Sequence, residues 1–343
     1  MQKKCNILIL MTLLLVSTLV AQAEEGTRRF SKSWPATEVE TLMITNKFGE
    51  VAINSNGGNM VTIEVVVTVR GNSSRDRELL EAIRVTFGKN GRAASAVTEI
   101  EGLLKTKSNF SIDYSVNIPA EKNLVVNNKF GNVVINRLTG QGDFDIAYGN
   151  FTATELAGNS LALNLEYGKG DIGTLRDALI SLSYGKLFFG TAGRIKMDSK
   201  YSTVNGDKVR DLILDSKYDT FNFGEVFTLE GESKFTNYRI GRLDKRLKLE
   251  SGYGTVKVDR IPADFELLEV SSSYAQVSLG IEEGAAYDME ASCEFCSITY
   301  PSEAFRGNRQ KENTRESLRG KVAGGASGRV KVISKFGNIR LMD

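Results

Sequence analysis

The chain has 343 residues, with 44 Lys and Arg against 42 Asp and Glu, three cysteines and no histidine. Near-balanced charge removes the strong field that holds nucleic acid, so no nucleic-acid partner is expected. The absence of histidine excludes histidine triads, histidine general bases and the commonest zinc and copper sites.

Residues 1–23 read as a signal peptide. Lys3 and Lys4 precede an apolar run from Ile7 to Val20, and Ala21-Gln22-Ala23 is a small-x-small cleavage signal. That run is short for a permanent span and no later segment reaches the length. The expectation is an exported product, in the periplasm or at the cell surface and beyond it, with no transmembrane anchor after signal removal. Cys293 and Cys296 remain in the mature chain. An oxidising compartment favours a local disulfide between them. Redox catalysis would place such a pair at a helix N-terminus, whereas this one interrupts a strand repeat.

Residues 24–123 open the fold. Thr41 to Ile53 reads as strand, corner, strand, and Val61 to Val69 alternates as a strand with one buried face. Ser73 to Ile83 carries Leu79, Leu80 and Ile83 at helical spacing, with Ser74 as the cap of one short helix. Val85 to Phe87 and Ser111 to Ile118 are further strands; residues 88–109 read as a loop or a weakly paired hairpin.

Residues 124–300 form a regular array. A phrase of the form apolar–x–Ser–Lys–aromatic–Gly–x–apolar–x–apolar returns at Phe130, Tyr148, Tyr167, Tyr184, Tyr201, Tyr218, Phe235, Tyr253, Tyr274 and Phe295. The intervals are 18, 19, 17, 17, 17, 17, 18, 21 and 21 residues. Phe48 and Phe336 open the same phrase near the two ends. Counting from the ring as position 0, apolar residues recur at −4, +3, +5 and +8, and small polar residues at −2. Positions −4, −2 and 0 share one parity, +3 and +5 the other, so the chain turns between them.

The glycine that often follows the ring is expected to supply a positive backbone angle for that corner. The ring itself, sharing parity with −4, is expected to point inward. A fixed short period of strand-type residues predicts an all-β, single-stranded parallel β-helix or solenoid, with coils of about 17–21 residues, one short helix and loop insertions. Antiparallel hairpins fit less well, because tight turn pairs such as Asn205-Gly206 are rare. Residues 301–329, charged and glycine-tailed, are expected to be a mobile loop, and 330–343 a closing coil.

Stacking would align Lys200, Lys217 and Lys234 as an exposed basic ladder. The ladder offers a stripe for an anionic polymer, or simply a solvated face neutralised by Asp198, Asp215, Glu232 and Glu250. Asp207 with Asp211, or Asp215 with Asp219, are candidate carboxylate pairs, but no acidic column is expected to repeat at one phase. There is no phosphate loop, dinucleotide fingerprint or Gly-Gly-x-Gly-x-Asp calcium repeat, so no cofactor is expected and no catalytic or metal residue is assigned.

Tyr114-Ser115-Val116-Asn117-Ile118-Pro119-Ala120 and the stretch from Leu124 through Lys129-Phe130-Gly131 to Ile135 resemble a bacterial family, the "putative-adhesin" β-solenoid proteins common in Bacteroidota. The resemblance covers nearly all the mature chain. It implies a single-chain β-helix at the cell envelope and carries over no catalytic residue. The expected function is a non-enzymatic envelope or surface scaffold that binds a polysaccharide or an envelope protein along its flat side. The alternative is a polysaccharide-cleaving β-helix lyase or hydrolase, which a groove with acidic and basic residues aligned across three or more coils would support.

Overall fold

The computed structural model describes residues 25–55, 58–71, 73–102, 109–325 and 327–342. The expected signal peptide lies outside them. The described chain is almost entirely strand, joined into one long and mostly parallel sheet. Among the described residues, no helix is long and apolar enough to cross a membrane.

Two columns of short parallel strands run the length of the sheet. The first contains Thr41–Lys47, Asn123–Lys129, Gly142–Ala147 and Leu161–Glu166, then 178–183, 195–200, 212–217 and 229–234. The second contains Val51–Asn54, Val133–Leu138, Phe151–Leu156, then 170–175, 187–192, 204–209 and 221–226. Register follows the sequence repeat: Met197 pairs with Leu214, and Leu187 with Val204. Like residues therefore stack. The −4 residues Val126, Leu163, Ile180, Met197, Leu214, Leu249 and Val270 are buried, as are Phe151, Leu187, Val204 and Phe221 at +3.

The corner is built differently from the expectation. The aromatic residue, not the glycine, takes the left-handed conformation, with φ between 52° and 62° at all twelve ring positions. Of the glycines that follow a ring, only Gly254 has positive φ, at 137°. Those glycines serve close approach instead. A Cβ on Gly131 would overlap the carbonyl of Gly49, one on Gly149 that of Gly131, and one on Gly168 that of Gly149. Farther along, buried Ser202, Asp219 and Thr236 replace this glycine file. Asp219 accepts from Ser199 Oγ (2.7 Å), Ser202 N (2.7 Å), Ser216 Oγ (2.7 Å) and Lys217 N (3.2 Å). Four donors satisfy a carboxylate that burial would otherwise penalise heavily.

Both ends of the parallel array are covered by antiparallel pairs. At the N-terminal end, Glu25–Pro35 pairs with Met60–Arg70, which pairs with Asn109–Asn117; Ile83–Asn90 pairs with Ala93–Ile100. Residues 83–100 are thus a paired hairpin, while 103–108 lie outside the described residues. The helix Ser74–Ala82 is capped one residue earlier than expected, by Ser73 in a capping box with Asp76. Arg28 Nη1 donates to Leu80 O (2.9 Å) and Ile83 O (3.1 Å), placing a cation at the helix C-terminus.

The expected mobile loop is a correction. Phe305–Glu312 and Arg315–Val322 form an antiparallel hairpin laid against Tyr287–Glu294. Its outer strand exposes Arg306, Arg309, Lys311 and Glu312. Charges there discourage edge-to-edge pairing, so an ordered edge strand carries the polar composition of a loop. The last segment, Gly328–Lys335, does not close the array from outside. It inserts between Leu267–Ile281 and Tyr287–Glu294, parallel to both.

A buried polar chain ties the N-terminal end together. Tyr114 Oη donates to Thr98 Oγ1 (2.7 Å), which donates to Asn46 Oδ1 (2.9 Å), while Asn46 Nδ2 donates to Ile112 O (3.0 Å). Burial pushes the Tyr114 phenol up to about 12, against a partial offset from Thr98. A phenol raised in the fold stabilises fully below its unfolded value near 10, and that contribution fades as pH rises towards 12. At about 1.4 kcal/mol per pH unit, roughly 3 kcal/mol should disappear across that window. Urea unfolding at pH 9, 10, 11 and 12 should show the decline. Tyr114→Phe should show a shallower one; identical pH profiles would disprove the assignment.

Candidate binding face

The left-handed corner breaks strand alternation at the ring itself, which throws every anchor outward. This overturns the expectation of an internal aromatic column. Phe48, Phe130, Tyr148, Tyr167, Tyr184, Tyr201, Tyr218, Phe235, Tyr253, Tyr274, Phe336 and Phe295 stack in that order, with centroids 4.6–5.1 Å apart and interplanar angles of 1–13°. Eleven steps of one strand spacing span roughly 53 Å. Most of the rings are 40–53% exposed. Neighbours cover their faces, so the ladder offers ring edges and phenol hydroxyls to a partner rather than open faces. The edge is the electropositive part of an aromatic ring. The Tyr167 phenol is raised by partial desolvation first, then by the flanking Tyr148 and Tyr184 and by Glu166.

Each ring in the left-handed region costs about 1–2 kcal/mol, offset by about 0.5–1.5 kcal/mol per stacking contact. Tyr218→Asn keeps a residue tolerant of that region and removes two stacks. The expected change is therefore within about 2 kcal/mol, without collapse of the fold. A thermal melt showing complete unfolding would mean that the ring is part of the core.

Beside the ladder, position −1 carries Lys47, Lys129, Ala147, Glu166, Ser183, Lys200, Lys217 and Lys234, and farther on Gly252, Ser273, Lys335 and Glu294. Lys200, Lys217 and Lys234 are consecutive register partners and exposed. Position −3 carries Asp198, Asp215 and Glu232 in register, followed by Glu250, all exposed. An acidic column does therefore repeat at one phase, contrary to the sequence reading; it follows from the same 17-residue spacing that aligns the lysines. The candidate carboxylate pairs do not form. Asp219 is inside and fully hydrogen-bonded, while Asp215 is on the outer face. Asp211 accepts from Thr228 Oγ1 (2.9 Å) and approaches Arg194 and Arg210.

Two shallow cavities lie along this face. One, about 640 Å³, is lined by Lys217, Lys234, Glu250, Gly252, Tyr253 and Ser273, among others. The second, about 480 Å³, shares Ser271, Ser272 and Ser273 with the first and continues to Lys335 and Arg315. Cys293 and Cys296 flank Phe295, the last ring, with their sulfurs at bonding distance. Elsewhere the same −2 to +1 bridge is a hydrogen bond, from Ser216 Oγ to Asp219 Oδ2 (2.7 Å) and from Ser334 Oγ to Gly337 O (2.6 Å).

One sequence signal could have revealed the outward rings. Seven of the twelve anchors are tyrosine, whereas the buried −4 and +3 files are mostly Val, Leu, Ile and Phe, with Tyr238 as an exception; a dry column would leave seven phenols in need of partners.

No protein-family model and no curated protein matches the chain. Several solved structures are similar to it. One described as a "putative cell adhesion protein" from Clostridium sporogenes is 8% identical, covering 92% of this chain and 99% of that one, with a TM-score of 0.23. A "putative lipid binding protein" from Parabacteroides distasonis is 13% identical over 73% of this chain and 95% of that one, at 0.33. A "putative adhesin" from Bacteroides fragilis is 10% identical over 91% and 97%, at 0.25. Proteins so described are thus among the solved structures that this chain resembles.

Proposed function

We propose that the chain is a single-stranded β-solenoid of 17–21-residue coils, exported to the cell envelope, which binds an elongated partner along its flat side without transforming it. The observation that carries this reading is the unbroken ladder of exposed rings with a parallel lysine column beside it. The rings repeat at every strand spacing and the lysines over runs of it, and so the surface matches a polymer better than a compact small molecule. Ring edges, phenol hydroxyls and ammonium groups together favour oxygen-rich, anionic chains, and an envelope polysaccharide supplies that chemistry.

The Lys200/Lys217/Lys234→Gln triple variant should keep a melting temperature close to the wild type, because all three side chains are exposed and no carboxylate is added to the acidic column beside them. It should lose at least tenfold in affinity on an array of anionic envelope glycans. Equal binding by the variant would remove the lysine column from the function.

A polysaccharide-cleaving activity is the second reading. Asp198, Asp215 and Glu232 aligned with Lys200, Lys217 and Lys234 across three repeats favour it. The two columns stand on an open face rather than in an enclosed cleft, which favours binding over turnover. Release of reducing ends or unsaturated sugars from those glycans, abolished by Asp215→Asn, would reverse the order of the two readings.

A further inference from the structure

The lysine column gives way to Ala147, Glu166 and Ser183 in one stretch and again at Gly252 and Ser273, and at Gly252 no steric reason imposes the change. At Gly252 φ is not in the left-handed region, and a Cβ there would meet nothing closer than Lys234 Cγ at 3.8 Å and Ser233 O at 3.9 Å. The corner glycines have no such room. Its register partner Ser273 is also small, and Ser273 in turn pairs with Lys335. The result is the 640 Å³ trough. Phe235 and Tyr253 border it on the ladder side and Glu232 and Glu250 on the other. Lys234 precedes the gap in the −1 column and Lys335 follows it.

From this geometry, and resting on the glycan-binding reading above, we infer that the trough at Gly252 is a dedicated subsite for a sparsely charged acidic oligosaccharide. Its sugar rings lie along the edges of Phe235 and Tyr253. Its hydroxyls donate to Glu250 and Glu232 and meet the Ser273 hydroxyl, and carboxylates at separated positions along it reach Lys234 and Lys335. Those lysines are three strand spacings apart, about 14 Å. The carboxylates on the opposite wall repel a ligand charged at every residue, so the subsite selects for intermittent charge. A peptide is disfavoured on backbone grounds. The strands 267–273 and 329–335 under the trough are already paired on both sides, so no free strand edge is there to recognise an extended main chain.

The test uses the chain with its signal removed and three probes: a hyaluronan octasaccharide, with a carboxylate on every second sugar, a fully charged oligogalacturonate, and neutral chitohexaose. Calorimetry should rank hyaluronan first. Gly252→Lys, which continues the lysine column through the gap, should weaken hyaluronan at least tenfold, and Gly252→Ala should weaken it far less. Neither should lower the melting temperature, because the site has room. Lys234→Ala should cut affinity severalfold and flatten its salt dependence. If Gly252→Lys binds hyaluronan as tightly as wild type while the triple lysine variant does not, the face binds but the trough does not, and this inference alone is wrong. Preference for oligogalacturonate or chitohexaose overturns the charge selection. If none of the three binds, the subsite is wrong; whether glycan binding falls with it is then read from the anionic-glycan array alone.

Discussion

Gly149→Ala should lower the free energy of unfolding by about 3 kcal/mol or more, a large effect for one methyl group. The new Cβ would sit inside the carbonyl of Gly131, and that carbonyl belongs to a corner held between two paired strands, 124–129 before it and 133–138 after it. A flexible side chain could move away, but a corner anchored by paired strands at both of its ends has little room to. Relief requires the two repeats to separate at the corner, which also loosens the stacks of Tyr148 on Phe130 and Tyr167. Gly252→Ala is the matched control. With open space at 252, reduced freedom of the unfolded chain should make it neutral or stabilising by up to about 1 kcal/mol. Equilibrium urea unfolding of both variants decides the matter. Equal effects would show that the corner glycines are not needed for close approach.

Asp219→Ala should cost about 4 kcal/mol. The substitution removes the acceptor of the Ser202 amide and of two serine hydroxyls in a buried corner, and a further contact of the Lys217 amide. Each orphaned donor costs about 1–3 kcal/mol, moderated where a hydroxyl can rotate to another acceptor. Ser216 has such a choice in Thr236 Oγ1 at 2.9 Å, and Lys217 remains paired in the ladder between Lys200 and Lys234, so the Ser202 amide bears the largest share of the loss. Asp219→Asn should recover part of the loss, because one amide oxygen still accepts from Ser202 N. If alanine and asparagine destabilise equally and by less than about 1 kcal/mol, the carboxylate is not what holds this corner. Because stability in stacked repeats is close to a sum of local and neighbour terms, hydrogen exchange should find the loss concentrated between residues 199 and 236.

The repeat was legible from composition and spacing alone. Seventeen-residue intervals with apolar −4, +3, +5 and +8 positions are enough to place Met197 over Ile180 and Val204 over Leu187, and the structure pairs them so. The small −2 residues share the parity of the apolar −4 position, and Asn128, Ser199, Ser216 and Ser272 are all buried with it. The helix was legible because its spacing departs from the strand pattern around it.

What the sequence by itself determined is which residues are equivalent, because equivalence is a property of period and period needs no coordinates. Which side of the wall each equivalent residue occupies was settled only by the tertiary structure. At the corner, one residue must leave the extended region; parity cannot say whether that residue is the ring or the glycine after it. The folded corners answer the question. Where a glycine follows the ring its Cβ would collide with the neighbouring backbone, and where Ser202, Asp219 or Thr236 follows instead the ring is still the left-handed residue, so at every corner the aromatic residue turns and faces solvent. The ends were also beyond a linear reading. Insertion of Gly328–Lys335 between two earlier segments, and the charged hairpin beyond them, depend on which strand edges are left open once everything else has paired.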